Sequence, residues 1–193
     1  GCPTAGIVRD ASRPTTIKTR VIAHSQHVVR IDHEQRREIS SSVQEQILSV
    51  LRRNIGSLDG IIFEDYNKGV IVKTLIHRIV ELAREHGTIV TVDPKFQNFF
   101  EYKNVSVFKP NRKEVEEALG TKINSKKEVR DAMMALKKKL NADNVLITRG
   151  EHGMSLLDRE GAVEHFPTRA RHVADVSGAG DTVIATLTMA LAS

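Results

Sequence analysis

Apolar residues in this chain follow two alternating spacings. Four short runs are apolar almost throughout: Gly60-Ile-Ile-Phe63, Ile89-Val-Thr-Val92, Val105-Ser-Val-Phe108 and Val145-Leu-Ile-Thr148. Runs of this length and character predict buried strands. The segments between them carry helical spacing. From Val70 to His86, residues Val72, Leu75, Ile76, Ile79 and Leu82 share one face, and Gly87 supplies a stop. Ser42-x-x-Glu45 and Ser125-x-x-Glu128 read as capping boxes, opening helices that run to about Ile55 and about Leu140. Asn111 to Leu119 is a short helix ended by Gly120, and Val183 to Ala192 is an apolar helical run. Fully apolar strands alternating with helices predict an α/β fold whose mostly parallel sheet is covered on both faces. Ahead of it, the β-branched runs Thr15–Ile22 and His27–Asp32 predict a small β hairpin.

Composition narrows the function classes. The 193 residues suffice for one domain with a real core, and 40% hydrophobic with 27% charged residues is ordinary for a globular protein. No apolar run is long enough to span a bilayer. No secretory signal is visible and Cys2 is the single cysteine, so a disulfide framework is excluded and a cytoplasmic setting is expected. The net charge of +5 suits anionic small molecules. Nucleic acid is disfavoured, because the lysines gather on one solvated helix face, Lys126–Lys139, and aromatics are only 4%. No Gly-x-x-x-x-Gly-Lys-Ser/Thr loop occurs, and Gly178-x-Gly180 lacks the third glycine of a dinucleotide fingerprint.

Ligands of open α/β sheets bind beyond the carboxyl ends of the strands. The polar clusters stand there: Glu64-Asp-Tyr-Asn-Lys-Gly69, Asp93-Pro-Lys95, Lys109-Pro-Asn111 and Arg149-Gly150. The sharpest chemistry lies in Asp175-Val-Ser-Gly-Ala-Gly-Asp-Thr182, just before the apolar helix. Amides of Gly178, Ala179 and Gly180 at a helix start would face an anion, and Asp181 beside them can take a proton from an attacking hydroxyl. A loop ending in an Asp helix cap is the plainer reading of the same tetrapeptide. Asn111 and Glu114, one turn apart, either cap a helix or hold hydrated magnesium and a phosphate oxygen. Asp65 and Lys68 read equally as a salt-bridged loop or as contacts to a sugar and its phosphate. Lys18 and Arg20 share one strand face, suited to a phosphate or to protecting an edge strand. His24, His27 and His33 read as turn and exposed strand, not as a metal cluster.

Residues 175–181 resemble the C-terminal signature of the ribokinase-like (PfkB-type) carbohydrate kinases, Asp-Thr-Thr-Gly-Ala-Gly-Asp, with Val176-Ser177 where Thr-Thr is common. The resemblance implies a three-layer ribokinase-like fold with a lid hairpin. It implies Asp181 as base and Gly178, Ala179 and Gly180 as anion hole. Asn111-Arg112-Lys113-Glu114 resembles the Asn-x-x-Glu motif that organises magnesium and ATP phosphates, Glu114 acting through water. Thr148, Gly150 and Gly153 match a Thr-x-Gly-x-x-Gly segment near the nucleotide. Asp65-Tyr66-x-Lys68-Gly69 resembles the family's stretch near the substrate. Below that level, the motifs at Thr16–Ala23, His27–Asp32, Glu64–Gly69, Asp93–Lys95, Lys109–Glu114 and Asp181–Ile184 resemble the kinase domains of bacterial heptose-phosphate kinases. That resemblance implies ATP- and Mg2+-dependent phosphorylation of D-glycero-D-manno-heptose 7-phosphate at O1, towards ADP-heptose and lipopolysaccharide. It also implies a homodimer with a small-molecule partner and neither membrane nor nucleic acid. The expected layout is a partial kinase domain over residues 1–193, with lid strands in 15–33 and an α/β core in 40–193. A Gly-Gly-Ala-Ala-Asn substrate motif is missing and the chain stops soon after the Asp181 helix, so a fragment lacking both ends is expected. Another sugar kinase of the same type, or a nucleotide-binding module without turnover, fits the same residues.

Overall fold

The computed structural model describes residues 4–23, 26–169 and 178–193. Cys2, His24 and the Asp175–Ser177 part of the signature lie outside the described residues. Strands β1 (Ile17–Ala23) and β2 (Gln26–His33) pair antiparallel as the predicted hairpin. The core holds a six-stranded sheet whose spatial order follows the chain: β3 (Gly60–Glu64), β4 (Ile89–Asp93), β5 (Val107–Phe108), β6 (Asn144–Thr148), β7 (Met154–Leu157) and β8 (Val163–Phe166). The first four strands are parallel, β7 runs antiparallel to β6, and β8 runs antiparallel to β7. The helices are α1 (Ser41–Asn54), α2 (Lys73–Glu85), α3 (Arg112–Leu119), α4 (Lys126–Leu140) and α5 (Ala179–Leu191).

In-register residues build the core. Phe63, Val92, Phe108, Val145 and Leu157 stand side by side across five strands, all buried. In-register residues of a sheet share a face, so this row packs as one surface. It joins Ile76, Ile79, Met133 and Leu136 of α2 and α4 in one hydrophobic cluster. Phe99 and Tyr102 extend it, meeting Phe108 and Phe63 edge to face at 5.0 and 5.5 Å between centroids. Helix α5 lies against β3 and β4, where Thr188 and Thr91 hydroxyls share a buried 2.6 Å hydrogen bond. Coverage there is incomplete: Ile62, in register with Thr91, is 40% exposed.

Three predicted boundaries move. Helix α1 is capped by Ser40, whose hydroxyl accepts from the Val43 amide, and not by Ser42. Glu45 is drawn away to Arg78 on α2, so it closes no capping box. Helix α2 begins at Lys73, because Gly69 turns the chain with φ 75° before it. Strand β5 is two residues long, although Val105 and Ser106 still bond Asp143 and Val90 through the backbone.

Candidate active site

Helix α5 starts at Ala179, with Gly178 in the left-handed region at φ 76° as its cap. The first intrahelical bond runs from Thr182 N–H to the Gly178 carbonyl, 2.9 Å. The amides of Ala179, Gly180 and Asp181 therefore have no partner within the helix. The expected amides of Ala179 and Gly180 are in this set, Gly178 precedes them as the cap, and Asp181 joins them. Asp181 is third in the helix, and its exposed side chain faces the strand ends instead of serving as the cap. Gly180 backs onto a buried ion pair. A Cβ there would stand 3.3 Å from Asp93 Oδ2 and 3.5 Å from Lys109 Nζ, so glycine lets the helix start sit directly on those groups.

Lys109 and Asp93 are bonded at 2.6 Å, with side chains 2% and 9% exposed. Glu64 and Asp93 end neighbouring parallel strands in register. With Asp181 they form a carboxylate cluster whose oxygens lie within 4.8 Å of one another. Three carboxyls against one ammonium leave excess negative charge. Burial, then the charges of Asp93 and Asp181, push Glu64 up to about 7, against the opposing pull of Lys109. Lys109 already occupies an oxygen of Asp93, so the cluster reads as the surroundings of a base. Sequence reasoning left Glu64, Asp93 and Lys109 without roles. The available signal was an acidic residue closing each of two consecutive apolar strands.

The loop after β3 holds a second surprise. Asp65 is 2% exposed and its carboxylate is spent on the protein. Oδ2 accepts from Tyr102 Oη at 2.7 Å and Asn98 Nδ2 at 3.2 Å, and Oδ1 accepts from the Asn67 amide at 2.8 Å. These bonds make Asp65 an anchor for the loop and correct the expectation that it meets a sugar hydroxyl. Lys68 is paired with Glu34, which closes β2's outgoing strand segment, and its carbonyl accepts from Arg13. A free cation for a phosphate is therefore not offered by Lys68. Lys18 does reach the cleft. It lines a cavity of about 400 Å³ with Glu64, Asp65, Tyr66 and Lys68. Arg20 lies on the same strand face, directly across from Arg30. Like charges opposite each other are unfavourable unless an anion joins them, and Asp32 meets Arg30 at 3.0 Å; Arg30 was not singled out from sequence.

Asn111 caps α3 in a full capping box. Its Oδ1 accepts from the Glu114 amide at 2.9 Å, and Glu114 Oε2 accepts from the Asn111 amide at 2.8 Å. Glu114 Oε1 bonds Lys95 Nζ at 2.6 Å. Burial opposes the charge on Lys95, but the Glu114 bond and the charges of Glu114, Asp93 and Glu64 outweigh it and raise its pKa. Direct magnesium ligation by Asn111 does not fit, since its oxygen already serves the helix. Glu114 is an oxygen donor with lone pairs to spare and fits contact through water. Arg112 and Lys113 line a groove of about 530 Å³ with Asn111, Thr148, Arg149 and Gly150. Within it, Arg149 Nε is buried without a hydrogen-bond partner among the described residues. Gly153 closes the turn beyond, outside that lining. The groove thus brings the Asn111 and Thr148 motifs together, and a β-bridge between those two residues fixes their spacing.

A parallel α/β sheet, a lid hairpin, and a carboxylate among free helix-start amides together define the ribokinase-like class of fold. The chain belongs to the pfkB family carbohydrate kinases, whose profile matches residues 1–193. It is 43% identical over 192 residues to the bifunctional protein HldE of Geobacter sulfurreducens, covering all of this chain and 39% of that protein. It is 38% identical over 191 residues to HldE of Wolinella succinogenes, covering 99% of this chain and 40% of the relative. The chain thus spans about two fifths of the length of these relatives. Among solved structures, tetrameric inhibited phosphofructokinase-2 from Escherichia coli superposes with TM-score 0.73 at 17% identity, over 92% of this chain and 58% of that one. Arabidopsis thaliana ribokinase complexed with ribose and ATP superposes with TM-score 0.69 at 16% identity, over 93% and 57%.

Proposed function

We propose that this chain carries the catalytic centre of an ATP- and magnesium-dependent kinase that phosphorylates D-glycero-D-manno-heptose 7-phosphate at O1, towards ADP-heptose. The observation that carries the reading is Asp181, exposed beside the unpaired amides at the start of α5 and hydrogen-bonded to Tyr66, which lines the cavity. The heptose substrate follows from the motif resemblance and from the identity to the HldE proteins. Asp181 takes the proton of the acceptor hydroxyl while that oxygen attacks the γ-phosphorus of ATP. The bond to the leaving phosphate breaks and ADP departs. The amides of Ala179, Gly180 and Asp181 stabilise charge on the transferred group. Lys18 and Arg20 hold the sugar's own phosphate from the hairpin. The basic groove of Arg112, Lys113 and Arg149 holds the nucleotide, and the buried, unpartnered Nε of Arg149 is a donor in want of an anion. Magnesium, when bound near Glu114 through water, supplies further neutralisation of the phosphates. No helix among the described residues is long and apolar enough to cross a membrane. The site is of a kind that works in the cytoplasm, where ATP is abundant.

One observation favours a second reading. Lys68 is tied to Glu34, so one expected phosphate contact is missing, and an unphosphorylated sugar becomes a competitor. Assaying the full-length protein with heptose and heptose 7-phosphate decides between them. The phosphorylated sugar is expected to have the higher kcat/KM. In the same assay Asp181→Asn is expected to lower kcat by about 10²–10⁴ with ATP binding retained. Undiminished turnover in that variant sinks the base assignment.

A further inference from the structure

Tyr66 stands between two residues whose positions are pinned. On one side Asp65 is locked by Tyr102, Asn98 and the Asn67 amide, and its own amide donates to the Asp93 carbonyl at 3.2 Å. On the other, Asn67 holds a left-handed conformation at φ 53°. The loop thus presents the Tyr66 phenol to α5, where Oη donates to Asp181 Oδ2 at 3.2 Å. From the hairpin, Lys18 Nζ lies 5.7 Å from the centre of the Tyr66 ring, within reach of a cation–π contact.

We propose that Tyr66 is the positioning residue of the base, holding one oxygen of Asp181 and leaving the other to receive the substrate proton. This rests on the reading of Asp181 as base. The need for such a donor is electrostatic. Asp181 shares its surroundings with Glu64 at the end of β3 and Asp93 at the end of β4, and among the described residues Lys109, bonded to Asp93, offsets them directly. Lys95 sits further along the rim, paired with Glu114, and Lys18 faces the ring of Tyr66 and not the carboxylate. Carboxylate neighbours favour proton sharing between Asp181 and Glu64, which would spoil the base. A phenol donating to Asp181 favours its ionised form and fixes its rotation. Tyr66 itself stays a donor: burial first, then the Asp181 bond and the charges of Asp181, Glu64 and Asp93, raise its pKa above the ordinary phenol value.

The test is the kcat–pH profile of Tyr66→Phe in the full-length protein, beside Asp181→Asn. Loss of the donor should disfavour the ionised base, so the acid limb of the profile moves to higher pH, kcat on that limb falls by up to about tenfold, and the plateau at higher pH is nearly kept. KM for the sugar should change by less than about threefold, since the ring remains. The deficit should shrink as pH rises. Incorporating 3-fluorotyrosine at position 66, a more acidic donor, should move the limb the opposite way. Unchanged kcat in Tyr66→Phe overturns the proposal, and so does a loss of equal size at every pH, which is what a merely structural role gives. Full activity in Asp181→Asn instead overturns the base reading itself, whatever Tyr66 does.

Discussion

Glu64 shows how one side chain reports its neighbours. In the fold it holds its proton up to about 7, whereas the unperturbed value is 4.5. Between those values the folded chain binds a proton that the unfolded chain has released. Stability contributed by Glu64 is therefore present at low pH, declines as pH rises through that window, and is gone above it. Glu64→Gln removes the titration. Its melting temperature is expected to gain on the parent as pH goes from about 5 to about 8, with the two profiles converging at the acid end. A constant offset across that range would show that Glu64 is not held protonated by this cluster. The positions of several candidates were legible in the sequence: Lys18 lines one cavity, the Asn111 and Thr148 motifs line a groove, and Asp181 is bonded to the cavity-lining Tyr66. Partners were not. Asp65 was open to either a loop or a substrate reading because nothing in its local sequence announces Tyr102 and Asn98, 37 and 33 positions away.

At the level of elements, local chemistry decided most of what was legible. Ser125 and Glu128 close the predicted capping box, with the Glu128 amide bonded to Ser125 Oγ at 3.2 Å and Ser125 N–H to Glu128 Oε2 at 2.8 Å. Both halves lie within four residues, so sequence alone can specify them. Ser125→Ala is expected to cost about 1 kcal/mol of stability by denaturant unfolding, with kinase activity unaffected. Ser42 and Glu45 carry the same spacing yet form no box. Ser40 caps two residues earlier, and Arg78 on α2 takes Glu45 across the helix interface. A tertiary ion pair there outcompetes a local bond of similar strength. The same competition explains Asn111, whose cap holds the oxygen that a metal would need.

Across the whole molecule, one face of the hairpin is left exposed among the described residues. Ile17, Val21, Val29 and Ile31 share its face opposite Lys18 and Arg20, and each is between 43% and 58% exposed. An apolar sheet face of this kind is unfavourable in water and marks a contact surface. We read it as the place where two copies pair, in keeping with the expected homodimer. Ile31→Lys should convert the dimer to monomer in sedimentation velocity while leaving the core's melting transition in place. An unchanged sedimentation coefficient would remove the hairpin from the assembly.

Periodicity and turn chemistry by themselves determined the α/β class, the hairpin, most helices, and the strand ends where ligands gather. These depend on neighbours within a few residues, which any reader of the chain can see. Only the tertiary structure decided which carboxylate is locked as a loop anchor, which is tied to a buried lysine and which stays exposed at a helix start, because burial and the company of charges from distant strands set those surroundings. Asp65, Asp93 and Asp181 are the same side chain. Their differences arise from what the fold brings within a few ångströms of each.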